Sequence, residues 1–328
     1  MFNGLLNIHK EAGWTSSDVV AKLRGILGQK KIGHTGTLDP DATGVLVCVL
    51  GNATKLAELL TGHEKEYIAV CRLGVETDTQ DLSGTVLKET SFTVTGDGAP
   101  PLSGNGTECT VSREKLLSVL RRFQGSYEQL PPMYSAVKVN GKRLYQLARE
   151  GREVERKPRT VEIRSISLLD TSALVAEHLF TMEVRCSRGT YIRTLCADIG
   201  EALGTGAAMA HLTRTRVGNF TLDQALTLSR VEELASRDGI GEVLMAPDAV
   251  FKDLERIIVR EDARTALVNG NALPLASLSL PEDDTDQQPF ADGTKVRIYD
   301  TAGRFFGIYR YDGRKEQFRT QLFFGTGV

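Results

Sequence analysis

The sequence predicts a mixed α/β protein of two domains, and three observations on its 328 residues support this prediction. Helix and strand patterns alternate through most of the chain, whereas short strands separated by turns dominate its end. The composition, with 41% hydrophobic and 25% charged residues, is that of an ordinary globular protein. The length allows one large core and a smaller one. We therefore expect a first domain over residues 1–250 and a second over residues 255–328.

The first domain should begin with a strand, a turn and a helix. Residues 5–8 form a pattern typical of a short strand, and Thr15 and Asp18 have the spacing of a capping box at a helix start. Apolar residues between 19 and 27 then recur on one helix face. The uninterrupted apolar run at 45–50 predicts a strand that is buried on both faces.

Similar patterns predict the remaining elements. They indicate, in order, a helix at 53–60, a strand at 67–73, an exposed loop at 93–110, a strand at 180–186, a helix at 192–203, a helix at 261–269 and short strands around 296–298, 306–308 and 322–324. Tyr191 and Arg193 therefore fall at a strand-to-helix junction. The short strands at the end predict a small β-rich second domain.

Charge is distributed unevenly along the chain. The net charge of −2 argues at first sight against a nucleic-acid partner, because phosphate binding needs clustered Lys and Arg. Yet residues 281–292 hold five acids and no base, whereas residues 138–159 hold eight bases and three acids. The basic segment is either a solvated helical face or a nucleic-acid contact, and charge alone favours the solvated face.

Signals for membrane insertion, secretion and metal binding are absent from the sequence. No apolar run approaches the roughly 18–20 residues that span a bilayer, and the first residues are too polar for a secretory signal. We therefore expect a cytoplasmic protein without a membrane partner. The five cysteines are odd in number and scattered through mostly apolar stretches, which is typical of reduced core thiols. No CxxC or HxxxH spacing occurs, so neither a metal nor another cofactor is expected.

The segment at 33–44 is the strongest candidate for chemistry. It holds three glycines, and Pro40 biases Asp39 toward an extended backbone, so Asp39 should be presented on a rigid loop just before a buried strand. A phosphate-binding loop would need a Gly-Lys-Ser/Thr ending, which is missing, and a metal site would need ligands beyond Asp39 and Asp41. A carboxylate nucleophile or base remains, beside an ordinary turn aspartate, which spacing alone favours.

This segment, GHTGTLDPDATGVL, resembles the active-site motif of the TruB-type pseudouridine synthases, which act on the uridine at position 55 in the T loop of tRNA. Further segments resemble the family in the expected order: NIHKEAGWTSSDVVAKLR, GNATK, RLGVETDTQDLSG, LPPMYSAVKVNGKRLYQLAREG, CSRGTYIRTLCADIG and HLTRTRVGNF. Together they cover most of residues 1–250, and the C-terminal pattern is similar to the PUA domain of many members. One departure is Lys10-Glu11-Ala12-Gly13, where the family usually has Lys-Pro-x-Gly.

The resemblance implies an α+β catalytic domain around an antiparallel-rich sheet, followed by a small β-barrel-like PUA domain that binds RNA. It implies an isomerase that flips a uridine out of the T arm of tRNA and converts it to pseudouridine without a cofactor. It also implies a monomer with no obligatory protein partner. Whether the aspartate attacks the ribose or the base, or acts through a glycal intermediate, stays open.

The resemblance also implies roles for individual residues. The catalytic residues would be Asp39, Tyr191 and Arg193, and the substrate-binding residues would be Tyr67, His34, Lys55, Asp81, Leu212 and Lys10. An arginine beside an aspartate lowers the pKa of the acid, so Arg193 should keep Asp39 ionised. An extruded base needs an aromatic surface to replace its stacking, which Tyr67 would provide. Taken singly, these residues are as well explained by a core tyrosine, a surface ion pair or a core leucine.

The basic residues at about 130–159 gain a second interpretation from the resemblance, as an insertion that clamps the T arm. Tyr134 and Tyr145 lie within it and could pack on nucleotides. Two other functions remain open, a non-catalytic RNA-binding module and an RNA-guided synthase of the related dyskerin type that needs protein partners. The intact set of candidate catalytic residues favours an enzyme, and the insertion favours stand-alone recognition.

Overall fold

The structure of the protein is a computed structural model, which describes residues 1–95, 109–135, 137–139, 141–152, 154–279 and 290–325. Most of the predicted loop at 93–110 and of the acidic segment at 281–292 lies outside these ranges. Within them, every helix is too short or too polar to cross a membrane.

The first part of the chain forms a large sheet with helices on its faces. In chain order its elements are β1 (Gly4–Lys10), α1 (Ser16–Leu27), β2 (Ile32–His34), β3 (Thr43–Leu50), α2 (Ala57–Thr61), β4 (Lys65–Leu73), β5 (Val75–Thr77), β6 (Val86–Glu89), β7 (Phe92–Thr95), β8 (Cys109–Ser112), α3 (Arg113–Phe123), β9 (Gly125–Gln129), β10 (Lys138–Val139), β11 (Lys142–Arg143), α4 (Leu144–Arg149), β12 (Arg159–Asp170), α5 (Leu174–Glu177), β13 (Leu179–Cys186), α6 (Ile192–Leu203), β14 (Ala207–Val217), β15 (Phe220–Thr221) and α7 (Leu228–Ser236).

The large sheet has the strand order β1-β3-β14-β4-β13-β12-β9, with β2 paired to β3 and β15 paired to β14. Every pairing in it is antiparallel except that of β3 with β14, where Thr43 and Gly44 lie opposite Thr213 and Arg214. The predicted mixed α/β class with an antiparallel-rich sheet is therefore confirmed.

Strand β3 is buried on both faces, as its apolar run predicted. Its odd-numbered residues from 45 to 49 pack in one core cluster and its even-numbered residues from 46 to 50 in another. Helices α1 and α7 cover the second cluster, and α1 begins with the predicted capping box of Thr15 and Asp18. Helices α3 and α6 pack on β4 and β13 in a third cluster, which also receives Leu38 and Ala42.

The second sheet is formed by the last part of the chain. Its elements are β16 (Glu255–Val259), α8 (Arg264–Val268), β17 (Leu273–Pro274), β18 (Leu278–Ser279), β19 (Lys295–Tyr299), β20 (Phe305–Asp312) and β21 (Gln317–Phe323). They form the order β17-β21-β20-β19-β16-β18, a nearly closed barrel with its own aromatic core around Phe290, Tyr311 and Phe318.

The two sheets share an apolar cluster. Its members from the second part of the chain are Tyr299, Phe305, Ile308 and Phe324, which pack with the odd-numbered residues of β3. Such burial is non-directional and joins the two regions over a broad surface.

Some predicted elements differ from those observed. Residues 53–60 and 261–269 each form a 3-10 turn followed by a short α-helix, not one continuous helix. The ends of the predicted loop at 93–110 belong to β7 and β8, which pair in parallel. No strand was predicted for β14. Its pairing with β4 has two register shifts, so its apolar residues do not alternate regularly with its polar ones.

Candidate active site

Asp39 lies in the loop between β2 and β3. Leu38 and Ala42 are buried on either side of it, and the Ala42 amide donates to the Asp39 carbonyl at 3.2 Å, which closes a tight turn. The Ser16 hydroxyl at the start of α1 accepts from the Leu38 amide at 2.9 Å and donates to the Leu38 carbonyl at 3.2 Å. The buried side chains of Leu38, Ala42 and Ser16 therefore fix the loop that carries the carboxylate.

Lys10 lies beneath this loop and is only 1% exposed. Its Nζ donates to the carbonyls of Pro40 at 2.8 Å, Ala42 at 2.6 Å and Glu11 at 3.0 Å, which uses all three ammonium protons. Burial lowers the pKa of Lys10 to about 8, although Asp41 and Asp39 oppose this shift. Lys10 is thus buried beneath the loop, and the substrate contact that the resemblance implies for it stays a prediction. Its hydrogen bonds make it a support of the Asp39 loop.

Arg214 on β14 supports the loop from the other side. It is almost fully buried, and its guanidinium donates to the carbonyls of Val45 at 2.7 Å, Gly36 at 3.0 Å and Thr37 at 3.3 Å. Gly44 makes this approach possible, since it has φ +107° and a Cβ there would lie 2.2 Å from the Arg214 carbonyl oxygen. No role was predicted for Arg214, although it lies in the segment HLTRTRVGNF that resembles the family.

Arg193, in the first turn of α6, faces the Asp39 carboxylate. Its Nε lies 3.0 Å from Oδ2 of Asp39, and its Nη2 donates to Oδ1 at 3.4 Å. The same guanidinium donates to Oδ2 of Asp81 at 3.4 Å, to the Thr79 carbonyl at 3.1 Å and to the Tyr134 carbonyl at 2.9 Å. Arg193 is 6% exposed, so a buried cation with a full set of acceptors orients Asp39 through both oxygens.

The pKa of Asp39 is raised above its ordinary value. The side chain is 39% exposed, yet protein surrounds the carboxylate closely enough for desolvation to be the largest effect. Arg193 lowers the pKa and Asp81 raises it. Arg193 therefore acts in the predicted direction, but desolvation outweighs it. The result is a carboxylate that is more basic than an exposed one.

Tyr67 and Leu212 lie beside the same loop. On the paired strands β4 and β14, Tyr67 is opposite Arg214 and Leu212 is opposite Ala69, so the side chains share one face of the sheet. Both residues belong to the apolar cluster that contains Leu38. Burial raises the pKa of the Tyr67 hydroxyl, and the neighbouring Arg214 opposes this. The structure thus brings together an aromatic ring, an apolar side chain and Asp39.

His34 ends β2 at the start of the Asp39 loop, opposite Cys48 on β3. Burial is the main cause that lowers its pKa, so the ring is neutral at neutral pH. Its Nδ1 is buried and has no hydrogen-bond partner among the described residues. A neutral ring at this position can fill space without a charge of its own.

Tyr191 and Asp81 flank Arg193. Tyr191 is the N-cap residue of α6, and its amide and carbonyl are both bonded to the buried side chain of Gln129, at 2.7 and 2.9 Å. Asp81 accepts from the hydroxyls of Thr79 at 2.7 Å and Ser83 at 2.6 Å in addition to Arg193. No role was predicted for Gln129 either, although the family-like segment LPPMYSAVKVNGKRLYQLAREG begins at the next residue.

Lys55 is the candidate residue that lies elsewhere. It belongs to the 3-10 helix Gly51–Leu56, beyond the far end of β3, and its Nζ donates to the Phe323 carbonyl at 2.6 Å. A strand of eight residues at ~3.3 Å per residue puts this end on the order of 25 Å from the Asp39 loop. The structure therefore separates Lys55 from the other candidate residues and places it where the two sheets meet.

A cleft of about 380 Å³ adjoins the Arg193 cluster. Its lining includes Gln80, Met133, Tyr134, Arg152 and Arg156. Two arginines from the basic insertion therefore share this cleft with Tyr134, whose carbonyl accepts from Arg193, whereas Asp39 and Arg193 do not line it. Within the described ranges, no three His, Cys, Asp or Glu side chains are grouped to hold a metal ion.

Two family models match the chain. Residues 24–192 match the N-terminal domain of the TruB family of pseudouridylate synthases, and residues 193–259 match the tRNA pseudouridylate synthase B C-terminal domain. The border between the two models falls inside α6 and divides the large sheet, so it is not a structural boundary.

Curated relatives match over nearly the whole chain. A protein named tRNA pseudouridine synthase B from Lachnoclostridium phytofermentans is 45% identical over 95% of this chain and 96% of its own. The protein of the same name from Bacillus pumilus is 39% identical over 94% of this chain and 93% of its own.

Two solved structures have the same fold. A chain of an H/ACA RNP bound to a substrate RNA containing 2′-deoxyuridine superposes with a TM-score of 0.65 at 22% identity, covering 98% of this chain and 84% of that one. A chain of a Cbf5-Nop10-Gar1 complex gives a TM-score of 0.62 at 26% identity, covering 94% and 78%. From the two family models and the curated relatives, this chain belongs to the TruB family of pseudouridylate synthases.

Proposed function

We propose that this protein converts the uridine at position 55 in the T loop of tRNA to pseudouridine, with Asp39 as the catalytic carboxylate and without a cofactor. The observation that carries the proposal is the Asp39 carboxylate, open to solvent on one side and held through both oxygens by the buried Arg193. Family membership supports the reaction, and the names of relatives at 39–45% identity support tRNA as the substrate.

The reaction is a balanced isomerisation. The bond from N1 of uracil to C1′ of the ribose breaks, the freed uracil turns, and C5 forms a new bond to C1′. The proton on C5 is lost and N1 gains one, so no oxidant, reductant or second substrate is consumed. Asp39 supplies the carboxylate that promotes release of the base, whether it attacks the ribose or the base or acts through a glycal intermediate.

The electrostatics of the site suit this role. Desolvation raises the pKa of Asp39 and makes its oxygens more basic than those of an exposed aspartate. Arg193 works in the opposite sense and favours the ionised form, which is the reactive one. Desolvation therefore makes the carboxylate more basic, while Arg193 favours its ionised form. The bidentate contact with Arg193 also holds the carboxylate in one orientation.

The surrounding residues would bind the extruded base. Tyr67 offers a ring on which the uracil stacks, Leu212 lines the pocket beside it, and the neutral His34 fills space that the flipped nucleotides leave. Tyr191 and Asp81 complete the site on either side of Arg193. These roles rest on the location of Tyr67, Leu212, His34 and Asp81 around the Asp39 loop, and the role of Tyr191 rests on its position two residues before Arg193.

Recognition of the T arm would fall to the basic insertion at about 130–159, with help from the second domain as a PUA-like RNA-binding unit. Arg152 and Arg156 line the cleft beside Arg193, where they can meet phosphates that flank the target. Tyr134 and Tyr145 can pack on nucleotides. The protein would act in the cytoplasm as a monomer, without a guide RNA or a partner protein.

The proposal is tested with purified protein and an unmodified tRNA transcript, in the absence of guide RNA and other proteins. Position-specific mapping should find pseudouridine at position 55 alone, and a transcript with cytidine at that position should remain unmodified. Conversion at another uridine would refute the T-loop assignment. Conversion only after a guide RNA or partner is added would refute stand-alone action.

A further inference from the structure

Gln129 is a buried glutamine that holds both main-chain groups of one candidate catalytic residue. It is the last residue of β9 and is 1% exposed. Its Oε1 accepts from the Tyr191 amide at 2.7 Å, while its Nε2 donates to the Tyr191 carbonyl at 2.9 Å and to the Tyr127 hydroxyl at 3.1 Å. Both amide protons and the carbonyl oxygen are thus used.

These bonds act at the start of the helix that carries Arg193. Tyr191 is the N-cap of α6, and the first amides of a helix have no partner within the helix. Gln129 provides one such partner and fixes the plane of the peptide that leads into the first turn. The Tyr127 hydroxyl donates to the Asp198 carboxylate further along α6, so β9 is joined to this helix at two points.

Gln129 also lies where the basic insertion leaves the large sheet. It is opposite Arg159 in the pairing of β9 with β12, so the chain leaves the sheet for the insertion and returns to it at this pair. A second link runs from Arg193, whose Nη2 donates to the Tyr134 carbonyl inside the insertion. Hydrogen bonds of Gln129 and Arg193 therefore connect the start of the insertion to the first turn of α6.

We propose that Gln129 is a positioning residue for the isomerisation, which fixes Tyr191 and the first turn of α6 so that Arg193 stays aligned with Asp39. This inference rests on the function proposed above. Gln129 touches neither Asp39 nor the pocket beside Tyr67. Gln129 acts through the Tyr191 backbone. It thereby connects the start of the insertion to the orientation of the catalytic carboxylate.

The variant Gln129→Glu tests this role through pH. A protonated glutamate keeps one donor for the Tyr191 carbonyl and one acceptor for the Tyr191 amide. An ionised glutamate presents an oxygen to that carbonyl and repels it. Burial raises the pKa of a carboxyl, so the change between the two forms should fall within the range in which the enzyme is assayed.

We expect kcat of Gln129→Glu to be about tenfold or more below wild type near pH 8 and to recover to within about threefold near pH 6. Because each value is divided by that of wild type at the same pH, titrations common to both proteins cancel. KM for tRNA should change less than kcat, since the insertion keeps its cationic residues. Gln124→Glu is the matched control: this exposed glutamine precedes β9, its side chain donates to the Arg164 carbonyl at 3.3 Å, and the variant should give a flat ratio near one.

A second measurement does not depend on activity. Hydrogen exchange at the Tyr191 amide should be faster in Gln129→Leu than in wild type, and Gln124→Leu should leave it unchanged. Unaltered exchange in Gln129→Leu, or a kcat ratio for Gln129→Glu that does not vary with pH, would overturn the positioning role. An inactive wild type would instead refute the proposed function, and the exchange result would still decide whether Gln129 fixes this turn.

Discussion

The two ends of strand β3 are held in different ways. At its start, the Asp39 loop is fixed by directional hydrogen bonds from the buried side chains of Lys10, Ser16 and Arg214 to main-chain groups. At its far end, the 3-10 helix Gly51–Leu56 adjoins the second sheet, which is attached through an apolar cluster and through side-chain bonds from Asn52 and Lys55 to the carbonyls of Phe324 and Phe323.

This difference shows what each kind of interaction is used for. A buried charge is costly unless it is fully hydrogen-bonded, and such bonds define both distance and angle. They are found where a carboxylate must be aimed. Apolar burial stabilises without defining an angle, and it suffices where one region has only to remain attached to another. Variants at the two ends of β3 should therefore differ in their effects on catalysis and on stability.

The largest effect should come from Asp39→Asn, which keeps the shape of the side chain and removes its nucleophilic charge. Turnover should fall by roughly 10⁴-fold or more, while the Kd for tRNA changes by about threefold or less, because affinity comes from other surfaces. Both quantities should be measured on one folded preparation. The control is Asp41→Asn, an exposed neighbour that should stay active. If Asp41→Asn is the inactive variant, the nucleophile has been misassigned.

Arg214→Met should come next, because it removes the three bonds that hold the loop from β14. Carbonyls left without a donor cost about 1–3 kcal/mol each, so we expect kcat to fall about 100-fold and the free energy of unfolding to drop by several kcal/mol. Kinetics and urea unfolding measure the two effects. The matched control is Arg216→Met, two residues along the strand, whose side chain is 49% exposed and should matter little. Wild-type kcat in Arg214→Met would show that the loop does not need directional support.

A smaller effect is expected from pH alone. Since burial lowers the pKa of Lys10 to about 8, the neutral amine above this pH has two protons for three carbonyls, and kcat should decline. Stability should behave differently. The unfolded chain holds more protons than the folded one between about pH 8 and 10.5, so this group's contribution to the free energy of unfolding rises with pH there.

The assignment of this decline is checked by variants. In Lys10→Met, kcat should be lower at all pH values and the alkaline decline should be lost. Lys65 is the control, because burial lowers its pKa to about 8 as well but its Nζ bonds to the Thr61 and His63 carbonyls, outside the Asp39 loop. A decline that persists in Lys10→Met and disappears in Lys65→Met would transfer the effect to Lys65.

The smallest effects on catalysis belong to the far end of β3. Phe324→Ala in the shared apolar cluster should lower the free energy of unfolding by about 3–5 kcal/mol and leave kcat within about twofold. Lys55→Met removes one exposed hydrogen bond and should cost about 1 kcal/mol or less, with kcat and KM nearly unchanged. A rise in KM of more than about fivefold in Lys55→Met would support the substrate contact that the family resemblance implies for Lys55.

Much of the local structure follows from the sequence. The apolar run of β3, the capping box of α1 and the helical period of α6 predicted these elements because each signal lies within a few neighbouring residues. The placement of Asp39 on a short loop before a buried strand was also predicted, since Pro40 restricts the backbone of Asp39 and the nearby glycines permit tight turns around it. The family motif added the identity of that aspartate as the candidate nucleophile.

The residues that support the Asp39 loop and the start of α6 were decided by the tertiary structure. Lys10, Arg214 and Gln129 all bond to main-chain groups that are distant in sequence, such as the Gly36 carbonyl, 178 residues from Arg214. Every residue has a main-chain carbonyl, so an acceptor of this kind leaves no mark in the sequence. The same holds for Lys55, whose partner is the Phe323 carbonyl of the second sheet. The sequence determined which residue types are available, and only the folded sheet determined which backbone groups they meet.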